Sequence, residues 1–402
     1  MGAPLAGLLS ALLILLPPPL RDHLLHASHR HPADGLHPIV LIPGLICSDL
    51  EAQLTVDYQP FTPGCHRLKR DEWLGLWTNR TWMFDPEQAA CFLELMRLAY
   101  DPDLEDFQDT PGVTTRVPGF GSPHGFGSKH PDHPEYCLGA LRFALERLGY
   151  REGETLFGAP YDMRYAPPMP GQTSQSYSLY FSRLMKLIED ASMRNQGKPA
   201  IVFGHSLGGG VAFEFVRNTP LPWRNRFIKH LFMAAPTWSG GYVSTLTHIL
   251  WGPQDLLFVP SATRLAMRSM WRTLEISLAN LPSPEVFGHK PLVITRQRNY
   301  SAYDMADLLA TIESTNGLSA FRDREIAKME YFEAPMVPMT YMNGVGVPTP
   351  EQLVYREDNF DDDPLVVYGD GDSVINLNSI LAFEGKVGMQ PGQKERFKVH
   401  QA

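Results

Sequence analysis

Ile201-Val202-Phe203-Gly204-His205-Ser206-Leu207-Gly208-Gly209-Gly210 is the stretch whose reading decides the fold. An apolar run ends in Gly-x-Ser-x-Gly, and residues 211–217 continue with helical spacing. The order is strand, sharp turn, helix, with Ser206 at the turn. Glycines on both sides leave room for a strained backbone that lifts the hydroxyl off the end of a sheet. The helix start behind it turns free amides and a positive dipole end toward any nearby oxyanion. The five-residue pattern also occurs in glycine-rich loops without chemistry. The strand before it and the helix after it favour a nucleophile elbow.

Working outward, 402 residues suit two average domains or one α/β domain with insertions. An apolar fraction of 44% is ample for a large core. A net charge of −9 and the lack of a basic stripe exclude nucleic acid as the main partner. The 35 prolines suggest long, stiffened loops. Residues 4–16, rich in Leu and Ala and followed by Pro17-Pro18-Pro19, read as the apolar region of a signal peptide, cleaved near Ala27. The run is shorter than the about 20 residues that span a bilayer. Residues 1–27 are therefore expected to be a signal peptide. Residues 28–36 are expected to be a linker whose histidines lack a scaffold for metal. Residues 37–402 are expected to be the folded domain.

Two sequons, Asn79-Arg80-Thr81 and Asn299-Tyr300-Ser301, agree with secretory entry and make Asn79 and Asn299 candidate glycosylation sites. There are four cysteines, Cys47, Cys65, Cys91 and Cys137. Cys65 and Cys91 flank a Trp-rich segment and could close a loop in an oxidising lumen; four free buried thiols is the other reading.

His37-Pro38-Ile39-Val40-Leu41-Ile42-Pro43-Gly44 reads as a buried strand ending in a turn. A loop after an early strand supplies half of an oxyanion hole in α/β-hydrolases. Leu45 is placed to offer that amide and Leu207 the second, and two such amides stabilise a tetrahedral intermediate. Residues 55–100 carry Trp73, Trp77 and Trp82, which suit either lipid contact or core packing. Helices are expected over 136–148 and 178–193, and strands over 156–162, 228–236 and 336–342. Residues 237–290 form a long insertion of the kind that makes a lid. Asp361-Asp362-Asp363 reads as a solvated acidic loop. Leu365-Val366-Val367-Tyr368 then leads into Gly369-Asp370-Gly371-Asp372. Carboxylates on a glycine turn after a strand, downstream of Ser206, fit the Ser, Asp, His order of α/β-hydrolases. There the Asp holds the imidazole's tautomer. A plain turn or a cation loop is the blander reading, and the spacing excludes an EF-hand.

Taken in order, these pieces resemble the lecithin–cholesterol acyltransferase family, near lysosomal phospholipase A2 and most like its plant type-1 branch. The resemblance rests on Pro43-Gly44, Leu50-Glu51-Ala52-Gln53-Leu54, Tyr100-Asp101-Pro102-Asp103-Leu104 and Arg116-Val117-Pro118-Gly119-Phe120-Gly121. Gly158-Ala159-Pro160-Tyr161-Asp162-Met163-Arg164, the elbow, Gly346-Val347-Pro348-Thr349-Pro350 and Gly369-Asp370-Gly371-Asp372 complete it. It implies an α/β-hydrolase core with a membrane-binding subdomain over 55–100 and a lid over 237–290. It implies acyl transfer from a glycerophospholipid through an acyl-serine, to a sterol-like lipid alcohol or to water. The expected partners are thus the phospholipid substrate, a membrane surface and the alcohol acceptor. The resemblance marks Ser206 as nucleophile, Asp372 as acid, Leu45 and Leu207 as the oxyanion hole, and Cys65–Cys91 as a disulfide. It assigns no partner to Cys47 or Cys137. No metal or organic cofactor is needed, and a monomer is expected in the secretory pathway, whether extracellular, vacuolar or in the endoplasmic reticulum lumen.

The chain departs from the family at Ile46-Cys47-Ser48-Asp49, at Thr237 and Ser239, and at Ser373-Val374-Ile375. The family places its catalytic histidine in a loop after a last strand. Here that strand is read at 396–399, and His400 is the histidine that follows Asp372, with Ala402 closing the chain. Three readings stay open: the true histidine lies beyond Ala402, His400 is the base, or the protein is a catalytically silent lipid-binding relative.

Overall fold

The computed structural model describes residues 35–77, 82, 85–126, 137–254, 256, 259–357 and 359–401. The expected signal peptide, residues 28–34 of the linker and the sequon asparagine Asn79 lie outside the described residues. The end of the expected linker is not loose: Leu36 is buried and packs with Ile39, Leu41 and Leu156.

Six parallel strands form the central sheet. They are β1 (Ile39–Ile42), β2 (Leu156–Gly158), β3 (Ala200–His205), β4 (Ile228–Ala234), β5 (Met339–Asn343) and, last in the chain, Phe397–Gln401. All four residues of β1 are buried, as expected of a strand covered on both faces. The spatial order, starting from the last strand, is Phe397–Gln401, β5, β4, β3, β1, β2. Helix α1 (Pro86–Leu95) is capped by Asp85, whose side chain accepts from the Glu87 and Gln88 amides. Helix α2 (Gln175–Arg194) is capped by Ser174 and buries Tyr177, Phe181, Leu184 and Ile188 on one face, a 3.6-residue stripe. Helix α3 (Leu207–Arg217) is buried along its whole length and follows β3 directly.

Two excursions leave the core and return to the same end of the sheet. Residues 237–290 fold into α4 (Ser244–Leu250), α5 (Ser261–Trp271) and shorter turns. Between β5 and the last strand, β6 (Val347–Val354) pairs antiparallel with β7 (Leu365–Gly371). This pair brings Asp372 back beside the end of β5, where Val347 bridges to it. Helix α6 (Leu377–Phe383) follows, then the last strand, now β8 (Phe397–Gln401), pairs with β5. The parallel sheet, its helices and the helix-bearing insertion make an α/β-hydrolase core.

In the segment over 55–100, Cys65 and Cys91 are joined, and Glu94 is buried beneath the loop they close. Its carboxylate accepts from the Tyr58 hydroxyl and from the Phe61 and Thr62 amides. Trp77 and Trp82 are buried, so of the two accounts of these rings core packing holds for both. Trp73 is half-covered by the Arg116 guanidinium, 3.9 Å from its ring centre. Among the described residues of this segment, the large apolar side chains turned outward are Val56 and Phe61.

Candidate active site

The glycines around Ser206 answer to specific contacts. A Cβ on Gly204 would lie 2.3 Å from the Gly208 carbonyl oxygen, and one on Gly208 would lie 2.3 Å from that of Pro43. No side chain fits at either position, so β3, the turn and α3 pack backbone against backbone. Ser206 takes φ 53° and ψ −126°, outside the ordinary regions for a non-glycine residue. Its amide donates to the Ala234 carbonyl at 2.8 Å. Its own carbonyl accepts from the Gly209 and Thr237 amides. These bonds hold a conformation that would otherwise relax.

Sheet register brings the second loop to the serine. Ile42 of β1 pairs with Gly204 of β3, so Gly44 emerges beside Ser206. A Cβ on Gly44 would come within 3.3 Å of Ser206 Cβ and 3.2 Å of His205 Nδ1. The turn that follows is closed by the Cys47 amide donating to the Gly44 carbonyl. It is pinned from three sides. The Tyr161 hydroxyl donates to the Pro43 carbonyl, Trp77 Nε1 donates to the Ile46 carbonyl, and Cys47 is disulfide-bonded to Cys137. The pairing of Cys47 with Cys137 had no counterpart in the family reading; the even cysteine count was its one signal. Within this turn Leu45 keeps its amide free of any protein acceptor among the described residues. Leu207 is the first residue of α3, where a helix leaves its amides without internal partners, and its amide is likewise free. Gly44, Leu45, Ser206 and Leu207 all line one cavity of about 450 Å³.

The two aspartates of the 369–372 motif separate clearly. Asp370 is exposed and accepts from the Gly346 amide. Asp372 stands at the end of β5, close enough that a Cβ on Gly344 would approach its own Cβ to 3.1 Å. Its Oδ1 accepts from the Ile375 amide at 2.7 Å and the Val374 amide at 3.0 Å. Burial pushes its carboxyl above the ordinary aspartate value, and those two amides pull against the shift.

His400 is not brought to Ser206. It lies within β8, exposed, in a row that runs His400, Met342, Ala234, His205 across the sheet. Three strand spacings of about 4.8 Å put its backbone about 14 Å from that of the residue before Ser206. Strand pairing holds it there, because the residue expected in a loop after the last strand is instead part of the strand. Among the described residues the histidines that line the cavity are His205 and His248. His248, on α4, packs its ring against Trp271 with centres 4.9 Å apart. Burial lowers the His205 imidazole below the ordinary histidine value. Neither was singled out from sequence. His205 sits inside the elbow pattern, and His248 falls in an insertion with no motif around it.

The insertion forms the facing wall of the cavity with Tyr242, Thr245, Trp271, Ile276, Ser277 and Asn280. It is tied to the acidic loop that was read as solvated: Arg268 pairs with Asp361, and Trp251 Nε1 donates to Asp363. Asn299 is exposed on a short strand. Among the described residues no cluster of three His, Cys, Asp or Glu side chains could hold a metal, and no helix is long and apolar enough to cross a membrane. Two disulfides fit a secreted or lumenal protein.

The chain matches the family described as Lecithin:cholesterol acyltransferase over residues 70–304. It is 40% identical over 356 residues to Lecithin-cholesterol acyltransferase-like 1 of Oryza sativa, an alignment that covers 88% of this chain and 79% of the rice protein. The Arabidopsis thaliana protein of the same name is 37% identical over 362 residues, covering 87% and 83%. Lysosomal phospholipase A and acyltransferase of Bos taurus is 31% identical over 372 residues, covering 91% and 87%. Identity at this level over nearly the whole domain, on an α/β-hydrolase core with a serine elbow, places the chain in the lecithin:cholesterol acyltransferase family.

Proposed function

We propose that this chain moves a fatty acyl group from a glycerophospholipid to a lipid alcohol or to water through an acyl ester on Ser206. The observation that carries the proposal is the pair of free amides, Leu45 and Leu207, on either side of Ser206 in one cavity. In this reading Ser206 Oγ attacks the ester carbonyl carbon, and the developing oxyanion accepts from both amides. The serine proton passes to an imidazole and on to the departing lysolipid oxygen. An alcohol or water, deprotonated by the same imidazole, then attacks the acyl-serine and releases the product. Asp372 orients that imidazole and stabilises its charged form. His400 is the histidine that follows Asp372, and to serve as base it has to pass β5 and β4. The names of the relatives, acyltransferase and phospholipase A, support this reaction class. Val56 and Phe61, exposed over the Cys65–Cys91 loop, support approach to a lipid surface from that side. The two disulfides support action within the secretory pathway.

A second reading, a lipid-binding relative without turnover, is favoured by the place of His400 on β8. Fluorophosphonate labelling separates the two, because the probe reports an activated serine. Labelling that disappears in Ser206→Ala supports acyl transfer. If His400→Ala abolishes it too, His400 is the base. A folded chain that binds phosphatidylcholine vesicles yet takes no label is the outcome the second reading predicts, and it excludes His400 as a working base.

A further inference from the structure

Cys47 and Cys137 are joined, and both line the Ser206 cavity. The two disulfides of the chain differ in access. Cys65 and Cys91 are 1% and 3% exposed inside the main core cluster, whereas Cys137 is only half-buried. Thiol–disulfide exchange needs a thiolate to reach one sulfur, so an accessible bond exchanges while a buried one stays closed. Cys137 also takes φ 68°, a left-handed conformation that a residue with a side chain holds only when its surroundings impose it.

The bond is attached to the turn that presents the Leu45 amide. The hydrogen bonds on that turn from Tyr161 and Trp77 end on the Pro43 and Ile46 carbonyls. The disulfide is the covalent tie, and it fastens the turn to the residue just ahead of the helix over Gly139–Arg147. Opening it does not let the two sides part. Leu138, next to Cys137, is buried with Ile39 and Leu41 of β1, and Leu145 of the same helix joins them. The sulfurs therefore stay near each other once separated, and the bond re-forms within the chain at high effective concentration. A bond open to solutes, fixed to the oxyanion turn and bracketed by packing that outlasts its opening has the properties of a reversible lock.

We infer that Cys47–Cys137 is a thiol-exchange site that locks the oxyanion turn, and that it reacts with a low-molecular-weight monothiol of the glutathione type. This rests on the reading of Leu45 and Ser206 as parts of one acyl-transfer site. The thiolate sulfur bonds to Cys137 Sγ and the Cys47–Cys137 bond breaks. Its electron pair leaves with Cys47 Sγ, which takes a proton from water. A second thiol then attacks the mixed disulfide, departs as the small-molecule disulfide and leaves Cys137 as a thiol. Two small thiols are oxidised as the one protein bond is reduced. In the open state the turn keeps its backbone bonds but loses its fixed distance from Ser206, so the Leu45 amide no longer meets the oxyanion. Cys65–Cys91 stays closed.

The test equilibrates the full chain, without denaturant, in buffers of reduced and oxidised glutathione. Thiols are trapped with N-ethylmaleimide and located by peptide mass spectrometry. Cys47 and Cys137 are expected to open in a buffer about tenfold less reducing than the one that opens Cys65 and Cys91. Over the same range fluorophosphonate labelling is expected to fall about 100-fold, the cost of a group displaced by roughly 1 Å, and to return on re-oxidation. Amide hydrogen exchange over residues 43–48 is expected to quicken in step, with exchange over β3 unmoved. Opening of Cys65–Cys91 first or together with Cys47–Cys137 overturns the inference. So does an open Cys47–Cys137 bond with labelling and exchange over 43–48 both unchanged. A folded chain carrying Cys47→Ala and Cys137→Ala is expected to label at the slow rate whatever the glutathione ratio, and labelling at the unsubstituted rate counts against the lock. Selective opening with faster exchange over 43–48, in a chain that never labels, sustains the lock and counts instead against Ser206 as carrier.

Discussion

Gly208→Ala offers a perturbation whose geometry can be worked through. The new Cβ would stand 2.3 Å from the Pro43 carbonyl oxygen and 2.4 Å from that of Ile42. Both atoms are backbone at the end of β1, so neither can swing aside. Relief requires α3 to retreat by roughly 1 Å, and Leu207, the first residue of that helix, moves with it. Overpacking of this kind costs about 1–3 kcal/mol. Replacing a helical glycine with alanine returns up to about 1 kcal/mol. The net loss is therefore about 1–2 kcal/mol. With an unfolding entropy near 2.1 cal/mol/K per residue, a domain of this size loses only about 1–3 °C in Tm. The chemical effect is larger, because a misplacement of about 1 Å costs about 100-fold and loss of an oxyanion donor about 100- to 1,000-fold. The assay pairs thermal unfolding with the rate of fluorophosphonate labelling at Ser206. Leu184→Ala, a cavity at a fully buried position of α2, is the counter-case: it costs about 2–5 kcal/mol and leaves labelling unmoved. A folded Gly208→Ala chain that labels at the unsubstituted rate would refute the view that α3 and the 44–47 turn must sit backbone to backbone for the serine to react.

Three further expectations follow from other parts of the molecule. The Cys47–Cys137 bond spans 90 residues and Cys65–Cys91 spans 26, so chain-entropy arithmetic assigns them about 4.6 and about 3.6 kcal/mol. Paired serine substitution of the first should lower Tm more than that of the second and should also slow labelling, since Cys47 closes the turn that carries Leu45; the opposite order in both readouts would contradict this. Burial, with Lys398 and Lys229 adding to it, holds His230 at a pKa of about 4, below the ordinary 6.5. The unfolded chain therefore binds the proton first. Stability is full above pH 6.5 and is lost as pH falls toward 4, by up to about 3 kcal/mol. His230→Gln, which can still bond to Thr340, should flatten that limb of the pH–stability curve measured by urea unfolding. Asp372 is shifted the other way, so the folded chain keeps a proton that the unfolded chain has released. Its contribution to stability is present below the ordinary carboxylate range and disappears as pH rises through the raised value. Asp372→Asn should remove that decline while abolishing activity; an unchanged decline would place its origin elsewhere, with the buried Glu214 and Glu275 the next groups to substitute.

Much of the core was legible because its signals are local. β1, β3 and β4 are short apolar runs bounded by turn residues, and α2 carries a clear helical stripe, so periodicity found each within a few residues of its ends. The late strand came out as Met339–Asn343 rather than 336–342, because the carbonyls of residues 336 and 337 are taken by the Arg396 and Gln393 side chains before strand pairing begins. The tryptophans of the 55–100 segment could not be oriented from sequence. Whether a ring faces lipid or core depends on what covers it, and for Trp77 and Trp82 the cover comes from residues distant in the chain. The acidic run at 361–363 is exposed, as read, but its surface partners Arg268 and Trp251, about a hundred residues earlier, were beyond any local pattern.

By itself the sequence determined the elbow, its glycines and the place of Leu207, because a strand–turn–helix junction is written within ten consecutive residues. It also determined which aspartate follows which strand. Only the tertiary structure decided that Gly44 and Leu45 reach Ser206, through the pairing of β1 with β3, and that Cys47 meets Cys137. It alone set His400 into a strand three places removed from β3, and brought Thr245, Trp271 and Ser277 of the insertion to the cavity that Ser206 lines. Each of these depends on sheet order and on the return path of an insertion. Those are settled by packing between segments tens to hundreds of residues apart, for which no local pattern carries a record.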